Sequence, residues 1–300
     1  MNNTMNNDSK KVALTIGKFN GFHLGHQTLL RDITKAAAEQ GMTPKILKLV
    51  TKDGDIFDKV EVEDFLKDRF PSIEGVEYIT FSPEFAKMSP EEFVSEVLVK
   101  QMNVGYVAVG VDFRFGKDRA GDTDTLRELG SKYGFEVSIL DKLMIEGSIV
   151  SSSLIREKLS DGDMDSTKMY LGRPYSIKGT VESGKKLGRT LGYPTVNISL
   201  DADKILPRYG VYSSVVRIFD GNEWHNHRGI TNIGKRPSID DGDNATVESF
   251  IYDFNDDIYG FDVIIVPEVF IRGEIRFSSL DELTQQITRD IDYASSITHQ

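Results

Sequence analysis

The sequence predicts an N-terminal α/β domain built on a parallel sheet, followed by a small antiparallel β-barrel that a C-terminal helix covers. Three observations carry this reading. Short apolar runs alternate with helical patterns through the first half of the chain, as βαβ units require. From Tyr175 the texture changes to short β-rich segments with turn residues between them. A last periodic pattern, Leu280, Leu283, Ile287 and Ile291, reads as an amphipathic helix.

In chain order, Val12 to Ile16 is the first strand and Gln27 to Ala38 the first helix, closed by Gly41. Lys45 to Val50, Val76 to Phe81 and Tyr106 to Val109 follow as strands. Ser89-Pro90-Glu91-Glu92 before Phe93 is a capping box with proline at the first helical position, so a helix starts there. In the second half, Asp220-Gly221-Asn222 and the run 241–244 mark turns, and Ser278 or Ser279 caps the last helix. The domains are placed at 11–170 and 171–300, with the boundary near 168–174.

Composition narrows the class. A chain of 300 residues with 39% hydrophobic content suits two domains, each with its own core. No apolar run is long enough to span a membrane. The first ten residues lack the apolar core of a secretory signal, so the cytoplasm is the expected compartment. With no cysteine there is no disulfide and no thiolate chemistry. The net charge of −11 argues against a nucleic-acid surface, which needs a basic stripe.

Chemistry concentrates at a few places. From Gly179 to Asn197 the chain packs glycines 179, 184, 188 and 192 with Lys185, Lys186 and Arg189, which reads as a phosphate cradle. Thr195 and Asn197 lie two apart after Pro194, so on extended backbone they share a face and suit a metal-bound phosphate. A decorated surface hairpin is the plain alternative, and no Walker A pattern is present. Gly17 to His26 reads as a strand end, a glycine turn and a helix start, which is an anion seat. His23 and His26 bracket it, two of only five histidines. Ser151, Ser152 and Ser153 lead into Arg156, an arrangement that an ordinary helix cap also explains. Glu248 lies on an alternating, half-buried strand pattern, where a single glutamate ordinarily faces solvent.

The run from Leu171, LGRPYSIKGTVESGKKLGRTLGYPTVNI, closely resembles the flavokinase module of bacterial bifunctional riboflavin kinase/FAD synthetases, whose signature is Gly-Arg-x-Leu-Gly-Tyr/Phe-Pro-Thr-x-Asn. The similarity continues through PRYGVY, TNIGKRPS, VESFIYDF, DIYG and IRGEIRF. Upstream, TIGKFNGFHLGHQ, VGVDFRFGKDRAGD and SSSLIR resemble the family's adenylyltransferase module. The resemblance implies a nucleotidyltransferase-like first domain and a riboflavin-kinase barrel. It further implies ATP and flavins (riboflavin, FMN, FAD) as ligands and Mg²⁺ as cofactor.

On matching positions it makes Glu248 the kinase base, with Arg189 beside it, and Thr195 and Asn197 the Mg²⁺ and phosphate ligands. Gly179, Gly184, Lys185 and Gly188 hold that nucleotide. Gly17, Phe19, Gly21, Gly25 and Ser151 to Ser153 hold the adenylyltransferase nucleotide, with His23, His26 and Arg156 catalytic. Asp112, Phe113, Tyr209, Tyr212, Asn232 and Arg272 are read as flavin contacts, with Ile233, Pro237, Phe250 and Phe277 as further candidates for an apolar slot; barrel core for the aromatics and a solvated charge for Arg272 are the plain alternatives. Arg276 is a second candidate cation.

Two departures matter. Asn20 stands where the family turn has aspartate, and the segment after the second strand lacks the family's Phe-x-Pro-His-Pro. They set a kinase-only enzyme, with a degenerate first domain, beside the bifunctional one. A nucleotidyltransferase for another substrate and a flavin-binding regulator without turnover complete the alternatives.

Overall fold

The computed structural model describes residues 10–50, 55–57, 59–80, 82–182, 195–200, 204–235, 245–254 and 256–297. Two compact units divide between Val150 and Ser151. That division lies upstream of the boundary read from composition, because the helices after Val150 pack with the barrel rather than with the sheet.

The first unit is a five-stranded parallel sheet in the order β3-β2-β1-β4-β5. Its strands are β1 (Val12–Gly17), β2 (Thr43–Val50), β3 (Gly75–Thr80), β4 (Val104–Gly110) and β5 (Glu136–Leu140). The chain runs outward from β1 to β3, then returns to β4. The strand order therefore reverses beside β1, and the carboxyl ends of β1 and β4 form the switch point at which such sheets bind ligands. Helix α1 (Leu24–Gln40) buries Leu29, Leu30, Ile33, Ala36 and Ala37 and ends at Gly41, as its periodicity requires. Helix α2 (Lys59–Arg69) follows β2.

The Ser89 capping box forms: the hydroxyl accepts from Glu92 N at 3.2 Å while the Glu92 carboxylate accepts from Ser89 N at 2.7 Å. The short helix α3 (Pro90–Glu92) then continues as a π-helical segment, Phe93–Gln101, burying Phe93, Val94, Val97 and Leu98. Apolar residues four apart suit either winding, so periodicity alone does not choose between them. Helix α4 (Thr123–Tyr133) precedes edge strand β5, whose half-buried, mixed sequence carries no apolar run to announce it. A small hairpin, β6 (Met144–Ile145) and β7 (Ser148–Ile149), ends the unit.

The second unit opens with α5 (Ser152–Asp161) and α6 (Met164–Leu171). Six antiparallel strands close into a barrel in the order β10-β11-β12-β9-β8-β13. They are β8 (Ile177–Glu182), β9 (Thr195–Ile198), β10 (Gly210–Phe219), β11 (Trp224–Lys235), β12 (Ala245–Ile251) and β13 (Asp262–Arg272). Closure gives each of the six described strands a partner on both sides. The Asp220 carboxylate closes the β10–β11 turn by accepting from Asn222 N and Glu223 N at 2.8 and 2.9 Å. The turn expected at 241–244 lies outside the described residues.

Inside the barrel, Tyr212, Thr231 and Ser249 are fully buried, and the two hydroxyls of Thr231 and Ser249 satisfy each other at 2.8 Å. Outside it, helix α7 (Leu280–Ile297) lays Ile287, Ile291 and Ala294 against Val211 and Ile230. Ser279 rather than Ser278 supplies its cap, accepting from Glu282 N at 3.2 Å.

Candidate active site

Alternation along β12 decides which side chains reach the space under α7. Val247, Ser249 and Ile251 are buried toward the barrel interior, so Glu248 and Phe250 emerge on the other side. Glu248 stands opposite Asn197 of β9 in one direction and opposite Asn232 of β11 in the other. The same row continues through Val211 to Arg272 of β13. Phe250 stands opposite Thr195, so Thr195 and Asn197 share the face that carries Glu248.

A cavity of about 270 Å³ lies along this face. Thr195, Asn232, Glu248, Phe250 and Arg272 line it from the barrel, Glu274, Ile275 and Phe277 from the following loop, and Leu283, Ile287 and Asp290 from α7. Apolar side chains and directed polar groups share its walls, the make-up of a small-molecule site. Among the described residues, no hydrogen-bond or ion-pair partner meets the Glu248 carboxylate, which leaves it able to accept a proton.

Arg272 is committed within this wall. Its Nε donates to both Asp290 oxygens at 3.0 Å and its Nη2 to Oδ2 at 2.7 Å, while Nη1 donates to the Gly273 carbonyl at 3.0 Å. Asp290 is nearly buried and also accepts from Gln286 at 2.9 Å. Asp290, Glu274 and Ile275 were not candidates from sequence. The signal for Asp290 was present: an acid three residues after Ile287, on the apolar stripe of an amphipathic helix, needs a partner.

In the first unit, Gly17 ends β1 and the turn that follows is tightly wound. Phe19, Gly21 and Phe22 have φ of 45°, 79° and 44°. A Cβ on Gly21 would lie 3.1 Å from three atoms of Ile56, so both conformation and space demand glycine. Asn20 is buried, and its Oδ1 accepts from Ile56 N at 2.7 Å. The residue that departs from the family pattern thus ties the turn to the segment after β2.

His23 caps α1, its Nδ1 accepting from His26 N at 3.3 Å. In that contact Nδ1 acts as the acceptor, the role of the tautomer that carries its proton on Nε2. The His23 and His26 rings stack at 3.6 Å and 17°. Gly25 lies in the first turn of α1. The two imidazoles therefore sit as a pair at a helix N-terminus, at the carboxyl end of β1 beside the switch in strand order.

Comparison with known proteins gives a match for each half of the chain. A family model described as riboflavin kinase matches residues 171–298, and one described as FAD synthetase matches residues 5–154. The chain is 34% identical to a bifunctional riboflavin kinase/FMN adenylyltransferase from Haemophilus influenzae, over 95% of this chain and 93% of that one. It is 32% identical to the protein of the same name from Bacillus subtilis, over 94% and 91%. The chain belongs to the bifunctional riboflavin kinase/FMN adenylyltransferase family. A crystal structure titled macrolide-efflux protein, from Streptococcus pneumoniae, covers 96% of this chain with a TM-score of 0.83 at 30% identity. Among the described residues no helix is long and apolar enough to cross a membrane.

The remaining family positions fall in three groups. Gly184, Lys185, Gly188, Arg189 and Pro237 lie outside the described residues. Gly179 lies within β8 and is not among the glycines with positive φ, so its backbone is that of a strand rather than a looped phosphate cradle. Glycine is needed there because a Cβ would come 2.1 Å from the Ser199 carbonyl oxygen of the neighbouring strand.

Tyr212 and Ile233 fill the barrel interior, and the Tyr212 hydroxyl donates to the Arg208 carbonyl at 2.5 Å. Neither they nor the half-buried Tyr209 line the cavity. Asp112 pairs with Lys142 at 2.9 Å, and Phe113 stacks on Phe115 at 5.5 Å. Ser151 caps α5 by accepting from Leu154 N at 3.2 Å, with Ser152, Ser153 and Arg156 in the helix's first turns.

Proposed function

We propose that this chain phosphorylates riboflavin at the barrel cavity and adenylylates the resulting FMN at the histidine pair of the first unit. The observation that carries the kinase assignment is Thr195, Glu248 and Asn232 on one cavity wall, with Asn197 opposite Glu248 in the same cross-strand row. Glu248 accepts the proton of the terminal ribityl hydroxyl as that oxygen attacks the γ-phosphorus of ATP. The bond to the bridging oxygen breaks, and ADP leaves.

Thr195 and Asn197 offer a hydroxyl and an amide oxygen. Among the described residues no group of three His, Cys, Asp or Glu side chains is close enough to cage a metal. Such a donor set fits Mg²⁺, which takes few protein oxygens and shares itself with phosphates and water. Thr195 and Asn197 would hold that ion, whose contribution is to neutralise phosphate charge. Phe250, Phe277, Ile287 and Leu283 provide apolar walls for the ring.

In the first unit, a phosphate oxygen of FMN attacks the α-phosphorus of ATP and diphosphate leaves. The amides at the start of α1 and the Nε2 proton of His23 meet the phosphate oxygens, and His26 lies against His23. Asn20 keeps this turn built, which supports a working site over a decayed one.

The test is to incubate the full chain with riboflavin, ATP and Mg²⁺ and to separate the flavins. FMN followed by FAD is expected. FMN alone would leave a kinase-only enzyme, and tight riboflavin binding without turnover would leave a flavin-binding regulator.

A further inference from the structure

We propose that Asp290 is a positioning residue of the flavin site: it orients the Arg272 guanidinium and fixes α7 as the pocket's outer wall. This rests on the riboflavin kinase reading. Asp290 comes from α7 and Arg272 from the end of β13, and both line the cavity. Two facing N–H groups of one edge of the guanidinium engage one carboxylate, the fork geometry that fixes the plane of an arginine. The Asp290 side chain is only 3% exposed and that of Arg272 18%, so the pair is shielded from solvent screening.

Arginine carries five N–H donors. Nε and one N–H of Nη2 go to Asp290, and one N–H of Nη1 goes to the Gly273 carbonyl. Among the described residues, the other two N–H groups meet no acceptor. Their plane is set before any ligand arrives, which lowers the ordering cost of binding.

The row of residues across the barrel says what they meet. Glu248 lies on β12, and Arg272 is reached from it through β11 and β10 to β13. Three strand spacings of about 4.8 Å put roughly 14 Å of wall between them. A guanidinium three strands along the curved wall from Glu248 serves a different part of the cavity from the reacting hydroxyl. It is in range of the ring of a flavin whose ribityl end lies at Glu248. The acceptors are then carbonyl oxygens on the ring edge. Phe277 flanks the same guanidinium, its ring centre 5.9 Å away.

The experiment compares the kinase reaction of the full-length wild type with Asp290→Asn, Arg272→Gln and the double variant. Asp290→Asn is expected to raise KM for riboflavin about tenfold or more, with kcat and KM for ATP within about threefold. The double variant should be no worse than Arg272→Gln alone, because the two residues act through each other. A riboflavin KM within about twofold of wild type, or equal losses toward both substrates, would overturn the proposal.

Should Asp290→Asn fail to fold, Gln286→Leu removes only one bond to Asp290 and is expected to raise the riboflavin KM alone, by a smaller factor. No change there would also overturn it. If the wild type makes no FMN, the kinase reading falls first. Quenching of riboflavin fluorescence then tests Asp290 independently, and undiminished binding by Asp290→Asn rejects its role.

Discussion

Glu248 and Asn197 are direct cross-strand partners on one face of the barrel wall, with Thr195 two residues from Asn197 on the same side. A carboxylate with no partner among the described residues thus faces a hydroxyl and an amide across a single strand spacing. The proposed base and the proposed phosphate ligands therefore share one face of the barrel wall.

Truncating the phosphate side should therefore weaken ATP use more than flavin binding. Thr195→Ala and Asn197→Ala each remove a contact to a charged ligand, about 1.5–3 kcal/mol. That corresponds to a rise of roughly 10- to 100-fold in KM for ATP, together with a higher Mg²⁺ requirement. Steady-state kinetics against ATP and Mg²⁺, with riboflavin saturating, checks this.

The histidine pair should matter only to the second reaction. His26→Ala and His23→Ala are expected to lower FAD formation from supplied FMN by about 10²–10³-fold, the usual cost of losing one donor to developing charge. FMN formation from riboflavin should be untouched. Unchanged FAD synthesis in both variants would remove the pair from the mechanism.

The first turn has its own stability signature. Asn20→Ala strands the buried Ile56 N–H and should cost about 1–3 kcal/mol of stability. Asn20→Asp keeps an acceptor and should retain the fold. Gly21→Ala must hold an alanine at φ 79° against Ile56 and should cost about 1–2 kcal/mol or more. Denaturant unfolding of the full chain measures all three.

Acid should loosen the β10–β11 turn. Backbone N–H of Glu223, then the His225 side chain and backbone N–H of Asn222, hold the Asp220 carboxyl down to about 2. A depressed carboxyl stabilises the fold above its unfolded value of about 3.9, and this contribution disappears as pH falls toward 2. The difference in melting temperature between wild type and Asp220→Asn should be present at pH 6 and vanish near pH 2.

Much of this architecture is legible in the residues. The alternating runs announce the parallel sheet, the turn at Asp220 announces a hairpin, and Leu283 and Ile287 announce the helix that walls the cavity. Edge strand β5 has no continuous apolar run like those of the central strands; its signal is the alternation of Phe135, Val137 and Ile139 with Glu136 and Ser138. The requirement at Gly179 is legible only as a glycine. That it admits a neighbouring strand rather than a ligand depends on which strands pair. Tyr212 looks like a slot aromatic until the phase of β10 points it inward. The Arg272–Asp290 pair joins residues 18 apart, and neither side chain names its partner.

The most direct measurement is the flavin product profile of Glu248→Gln, which keeps size and hydrogen bonding but removes the base. With riboflavin, ATP and Mg²⁺, FMN formation should fall by about 10²–10⁴-fold, while supplied FMN is still converted to FAD at the wild-type rate. FMN formation at the wild-type rate, or equal loss of both reactions, would contradict the assignment.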